Sequence, residues 1–309
     1  MDKYKEYYPH GIMFHRFHQD KQYGGSISPQ NLENIINMID TRRILTPAEW
    51  IDKCINNSLD DKDICLTFDD CLKSQYQIAL PILQKYKLKA FFFVHSITFD
   101  NNYDYNELFF TLIKDNYESF DIFFDQYLKY MNINHDIFIS NKFNDFKDKL
   151  IAHHNHYSEN EIKYRFLRNI YFKMDKFIDS VKSFFSNEIM QLDKKIWMTS
   201  NEVEHLSKLG HYIGLHTHSH FTNFLSLNYG EQKKEYQVNK DKLESIIDKK
   251  IYASSHPLGL YNDDTLTILK ELDIVCAFRS NNQIPEGKKI KNPNNYELAR
   301  NDVSNINYN

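Results

Sequence analysis

The chain has 309 residues, with 38 Lys and Arg against 42 Asp and Glu, a formal charge of -4 and 41% apolar content. That is enough for one large α/β domain or two smaller ones, and the absence of a basic excess argues against nucleic acid as the main partner. No apolar run reaches transmembrane length, and the stretch Met1 to Pro9 is too polar for a secretory signal, so a cytoplasmic protein without a membrane span is expected.

Four scattered cysteines, Cys54, Cys65, Cys71 and Cys276, form no Cys-x-x-Cys pair and read as reduced thiols.

Taken in order, Gly11 to His15 is a short apolar strand ending in histidine. Ser28-Pro29 then opens an amphipathic helix to about Asp40, and Thr46 to Glu49 has capping-box spacing ahead of Trp50 to Ile55. Ile64 to Phe68 is an apolar run that ends in Asp69-Asp70-Cys71. A buried strand has no packing reason to finish in two adjacent carboxylates, which in such a place usually share a cation or a proton. Ser74 to Lys87 has helical spacing with Pro81 as a start or kink, and Lys89 to Val94 reads as a buried strand.

The pattern changes from residue 97 to 196. This stretch is rich in Phe, Tyr, Asn, Asp and Lys, lacks Pro and Gly, and shows helical spacing at Tyr105 to Leu112, Ile162 to Tyr171 and Phe177 to Phe185. It is predicted to be a mainly helical insertion whose aromatic stripes are its own packing surface. His153, His154 and His156 lie within it without a carboxylate at ligand spacing, and do not read as a second metal site.

Alternation then resumes. A helix capped by Ser200 runs to Leu209, and the strand Tyr212 to Leu215 leads into His216-Thr217-His218-Ser219-His220. A charged helix from Gly230 to Asp248 precedes a strand at Ile251 to Ser255 and a Pro257-Leu258-Gly259 turn. A helix at Asp263 to Leu272 and strands at Ile274 to Phe278 and Tyr296 to Ala299 complete the chain. The β-α order implies a parallel sheet or barrel, with sites at the C-terminal ends of strands. His15, Asp69 with Asp70, His216 with His220, and His256 each fall there.

Asp70, His216 and His220 would supply one carboxylate and two imidazoles to a metal and leave a position open. Asp69, beside a ligand but not needed as one, is placed to take a proton from water. His15 is the best-placed general acid, with His18 and His256 behind it, and the turn at Leu258 could offer a backbone N–H to an oxyanion. His218 and Thr217 read as support for the flanking histidines. Arg300 could pair with Asp69 or a substrate group, or form a surface salt bridge, and Cys71 reads as a small buried filler.

Thr67-Phe-Asp-Asp70 followed by His216-Thr-His-Ser-His220 resembles the first two motifs of the polysaccharide deacetylase family, the NodB-homology carbohydrate esterases (family 4-like). The resemblance covers roughly residues 8–95 and 197–302. It implies a distorted (β/α) barrel formed by 1–96 and 197–309, interrupted by the insertion. It also implies Asp69 as catalytic base, with Asp70, His216 and His220 on one divalent metal, usually zinc, with nickel, cobalt or iron(II) as alternatives.

Three positions depart from the family. Cys71 stands where Gly is usual. Ser255-His256-Pro257-Leu258-Gly259 aligns with Arg-Pro-Pro-Tyr-Gly and lacks the arginine that helps hold the base. Leu298-Ala299-Arg300 aligns with the Leu-x-His motif that gives many members their acid. Phe14-His15 instead looks like the Tyr-His strand end of a subgroup that de-N-acetylates biofilm polysaccharide. Pro257 to Asn262 and Leu298 to Val303 look like surface-polysaccharide biosynthesis members.

The activity implied is a metal-dependent amidohydrolase acting on a linear, non-peptide C–N bond. It would remove an acetyl or formyl group from an amino sugar or glycan precursor in cell-surface glycan or lipopolysaccharide biosynthesis. A metal-independent hydrolase of cyclic amides or ureides, and a degenerate barrel that binds glycan or a partner, stand as the alternatives.

Overall fold

The computed structural model describes residues 3–20, 22, 25–151, 158–172, 174–189 and 196–307. His153, His154 and His156 lie outside these residues. The chain divides into two compact units, residues 1–104 with 197–309, and residues 105–196.

In the first unit, seven strands form one sheet: β1 (His10–Phe14), β2 (Ile64–Asp69), β3 (Phe91–Val94), β4 (Tyr212–Leu215), β5 (Ala253–Ser255), β6 (Cys276–Phe278) and β7 (Arg300–Asp302). Their order is β6-β5-β4-β3-β2-β1-β7, and every pairing is parallel. The two outer strands nearly meet. Phe278 and Leu298 form a parallel bridge, with Leu298 N–H donating to the Ala277 carbonyl at 3.0 Å and Arg279 N–H to the Leu298 carbonyl at 2.8 Å. The result is a nearly closed, distorted (β/α) barrel.

Strand composition follows from this closure. β1, β2 and β3 are buried at every residue, so both faces of the sheet are covered and the strands read as continuous apolar runs instead of alternating ones.

The helices are α1 (Pro29–Met38), α2 (Pro47–Ile55), α3 (Leu80–Lys85), α4 (Tyr105–Asn116), α5 (Phe120–Tyr130), α6 (Asn141–Ile151), α7 (Glu159–Phe166), α8 (Met174–Phe184), α9 (Ser200–Lys208), α10 (Tyr229–Ile247) and α11 (Asp263–Glu271). Local chemistry sets their starts. Ser28 accepts from Asn31 N–H, and Thr46 with Glu49 closes a capping box at α2. Before α3, Gln75–Ala79 forms a π turn, and Pro81, which cannot donate an N–H, sits in the first turn of α3.

Three expectations are corrected. The N-cap of α9 is Thr199, in a capping box with Glu202, and Ser200 is the first helical residue. Residues 97–104 belong to the barrel unit, where Ser96 and Ile97 N–H groups bond the His218 carbonyl. The last strand is Arg300–Asp302 and not Tyr296–Ala299, because the side chain of Asn292 takes the Ala299 N–H at 2.7 Å and Gly11 pairs with Arg300.

The second unit holds α4 to α8. Its core is aromatic, with Phe123, Phe124 and Tyr127 of α5 buried, as are Phe177 and Val181 of α8 and Phe185 just beyond it. The Tyr127 hydroxyl meets Ser180 Oγ at 2.5 Å, satisfying the polar tip that a buried tyrosine brings with it.

Gly214 of β4 marks a point of close packing. A Cβ there would lie 2.5 Å from the Phe93 ring and 3.0 Å from the Ala253 carbonyl oxygen. Gly214→Ala is expected to lower stability by about 1–3 kcal/mol in urea unfolding, as overpacked cores do.

Candidate active site

Asp69 is the last residue of β2 and is 2% exposed. Its carboxylate accepts two parallel bonds from Arg300, Nη1 to Oδ1 and Nη2 to Oδ2, both 2.7 Å, and a third from Ser255 Oγ at 3.1 Å. Such fork-to-fork pairs are the strong, orienting form of ion pair. Arg300 is fully buried, and its remaining donors reach the Arg279 carbonyl, Ser255 Oγ and Thr67 Oγ1. Of the readings open for Arg300, the pairing with Asp69 is the one found; a substrate group and a surface salt bridge are set aside, because every guanidinium N–H is spent inside the barrel.

Arg300 runs through the barrel interior past β1. Gly11 opposite it has no side chain, and a Cβ there would meet Thr67 Cγ2 at 3.0 Å and Arg300 Cγ at 3.1 Å. Burial pushes the Asp69 pKa up, but Arg300 and the neighbouring His216 and His15 bring it below the ordinary carboxylate value. Asp69 is therefore held ionised in a nearly dry setting. Gln75 of the π turn donates to the Asp69 carbonyl at 2.5 Å and to the His15 carbonyl at 2.9 Å, tying two strand ends together.

Asp70 follows with φ of 76° and Cys71 with φ of 58°, left-handed backbone that non-glycine residues adopt at a cost of roughly 1–2 kcal/mol each. The bend turns Asp70 toward the end of β4. Its Oδ1 lies 3.2 Å from His216 Nε2 and 3.5 Å from His220 Nε2, and ligand atoms of Asp70, His216 and His220 all fall within 4.8 Å of one another.

The far side of each imidazole decides its tautomer. His216 Nδ1 is 3.0 Å from the Ser255 carbonyl, which can only accept, so Nδ1 carries the proton and the Nε2 lone pair faces Asp70. His220 Nδ1 bonds Asp104 Oδ2 at 2.9 Å, and Asp104 is 2% exposed. Burial depresses the His220 pKa, yet Asp104 and Asp70 outweigh it and raise it to about 9. The two carboxylates thus stabilise positive charge at this point: a proton on His220 Nε2 when no metal is there, which a bound cation would displace to free the lone pair. One carboxylate and two Nε2 lone pairs, all buried, fit a divalent metal of the zinc type.

The other candidates are placed as follows. His15, just past β1, has Nε2 3.9 Å from Asp70 Oδ2 and 4.0 Å from Asp69 Oδ2, with its side chain 30% exposed. His18 bonds Ser26 Oγ at 2.8 Å. His256 is fully buried, bonds the Tyr296 carbonyl at 2.9 Å and stacks on Tyr261, and burial lowers its pKa to about 4; it makes no hydrogen bond to Asp69 or Asp70. Leu258 is half-exposed in the turn after β5, with φ of 55°. His218 bonds Ser96 Oγ at 2.9 Å, Thr217 is buried next to His216, and Cys71 is a buried thiol whose pKa burial pushes up.

Sequence reasoning missed Asp104, Ser255 and His95. His95 follows β3, is fully buried with no hydrogen-bond partner on either ring nitrogen, and stacks on His220 at 5.7 Å. Its place at a strand end was the available signal. Asp104 stands in a polar stretch of no period and carried none.

The sequence model of the polysaccharide deacetylase family matches residues 56–122 and 179–277, more than half of the chain. The chain belongs to the polysaccharide deacetylase family. No curated protein matches its sequence.

Among solved structures, the deacetylase PplD of Streptococcus pyogenes, in complex with acetate, is 17% identical over 90% of this chain and 88% of that one, with a TM-score of 0.51. IcaB from Ammonifex degensii is 15% identical, covering 95% and 90%, at 0.51. A de-N-acetylase from Aggregatibacter actinomycetemcomitans is 15% identical, covering 95% and 94%, at 0.52. At these identities the likeness is one of fold.

Arg300→Met should destabilise the protein by about 3–5 kcal/mol, since it strands a buried carboxylate. Asp69→Asn combined with Arg300→Met should recover part of that loss, which thermal unfolding of the single and double variants would measure.

Proposed function

We propose that this polysaccharide deacetylase is a metal-dependent amide hydrolase that removes an N-acyl group, acetyl or formyl, from an amino sugar of a cell-surface glycan or its precursor. The observation that carries this reading is the pairing of two adjacent carboxylates with different partners. Asp69 is neutralised by Arg300, while Asp70 faces the Nε2 atoms of two imidazoles and no arginine or lysine.

Asp70, His216 and His220 would hold the metal, which when bound lowers the pKa of water and polarises a carbonyl oxygen. Asp69 is the proton acceptor: ionised, oriented by Arg300 and Ser255, and next in sequence to the ligand Asp70. A carboxylate with both oxygens already hydrogen-bonded is a weak base but a precisely aimed one, which suits a proton made more acidic by a cation. His15, partly exposed and about 4 Å from both carboxylates, is the group that would protonate the departing amine. The backbone N–H at Leu258, in a left-handed turn beyond β5, is the proposed donor to the developing oxyanion.

Arg300 stands in for the arginine absent from the third motif, reaching the base from β7 instead of from the end of β5. That answers one of the two departures, the missing arginine, that favour a degenerate binding barrel. Zinc is the proposed metal on the donor set of one oxygen and two nitrogens.

Purified protein should contain near-stoichiometric divalent metal and release acetate or formate from N-acylated glucosamine oligosaccharides or nucleotide-linked amino sugars. Asp69→Asn should keep the metal and lose about 100-fold or more in kcat, whereas His216→Ala should lose both. His15→Gln should reduce kcat with the metal retained. A protein that takes up no metal after incubation with zinc, cobalt or nickel would contradict the reading.

A further inference from the structure

Asp104 is one of the most completely buried carboxylates outside the Asp69-Asp70 pair, and neither the motifs nor the fold accounts for it. A buried carboxylate is costly unless paired, and its partner is the side of His220 that faces away from Asp70. The His220 ring also stacks with His216 at 5.0 Å and with His95 at 5.7 Å. These contacts leave His220 a single orientation.

The two ligand histidines are supported unequally. His216 gives its Nδ1–H to a neutral backbone carbonyl, that of Ser255. His220 gives its Nδ1–H to a full negative charge. A carboxylate behind a ligating imidazole fixes the tautomer, increases the electron density at the other nitrogen and strengthens its bond to a cation.

We infer that Asp104 is a positioning residue for the metal, acting through His220 and setting how tightly the cation is held. This rests on the reading of Asp70, His216 and His220 as metal ligands. His220 itself has left-handed backbone, with φ of 51°, which costs energy for a residue with a side chain, and the Asp104 bond is one of the contacts that hold the residue there. Asp104 lies on the connection after β3, just ahead of α4, so a segment remote from both metal motifs in sequence completes the site.

The test compares zinc affinity of the full-length apo-protein, by competition with a chromophoric chelator, for wild type, Asp104→Asn and Asp104→Glu, with the visible spectrum of each cobalt(II) form. Asp104→Asn keeps an acceptor for the Nδ1–H but not the charge. It should bind zinc about 10–100-fold more weakly and alter the cobalt spectrum, with apo-protein Tm close to that of wild type. Asp104→Glu should recover part of the affinity. Affinity within twofold of wild type in Asp104→Asn, with an unchanged cobalt spectrum, would overturn the assignment while leaving the metal site standing. A wild type that binds neither zinc nor cobalt would overturn the metal reading and this assignment together.

Discussion

Burying a carboxylate at the mouth of a barrel is unfavourable until something positive is brought to it, and much of this structure follows from meeting that demand at Asp69. The cation is Arg300, fully buried and bonded to both carboxylate oxygens. To reach Asp69 it crosses the interior from β7 past Gly11, where a Cβ would crowd it, and it takes the Arg279 carbonyl and Ser255 as further partners. β7 and the residue just past β6 are thereby joined to β2 through side chains, although neither β6 nor β7 pairs with β2 in the sheet. The pair contributes little net stability by comparison with an apolar replacement, but half of it alone would be strongly destabilising, so it acts as a constraint on geometry.

With Asp69 neutralised, the electrostatics of the pair become asymmetric. Asp70 has no arginine; it has the Nε2 atoms of His216 and His220, both turned inward because their Nδ1 protons are engaged elsewhere. The same dyad of carboxylates thus divides into one group saturated by a cation that belongs to the chain and one in a cluster that could hold a cation from outside it. The proposed division of labour between adjacent acids, one for proton transfer and one for a metal, rests on this difference of partners and not on the residues themselves, which are identical.

The family's usual arginine and final histidine are absent from their motif positions, yet the consequences differ. The arginine is recovered in space: Arg300 occupies the position aligned with the missing histidine and pairs with Asp69. The acid is not recovered from that end, and His15, beyond β1, is the imidazole that approaches both carboxylates from the partly exposed side. The helical unit, by contrast, buries aromatic side chains of α5 against those of α8 and the residue after it.

Most of the barrel could be read from the chain because buried parallel strands are continuous apolar runs and helix starts carry their own capping chemistry, as at Ser28, Thr46 and Asn262. The metal-type cluster was legible for a similar reason: a carboxylate pair and His-x3-His at strand ends are local patterns. The last strand was misplaced because its extent depends on pairing with Gly11 and on capture of the Ala299 N–H by Asn292, neither of which leaves a local signal. The role of Arg300 was undecided for the same cause, since an arginine beside a strand is equally compatible with solvent. Asp104 had no pattern at all; only folding brings it behind His220. Sequence alone determined which elements form and which residues carry reactive groups, because those depend on neighbours along the chain. Tertiary structure decided which charge neutralises which, because ion pairing inside a barrel depends on side chains that meet across it from distant strands.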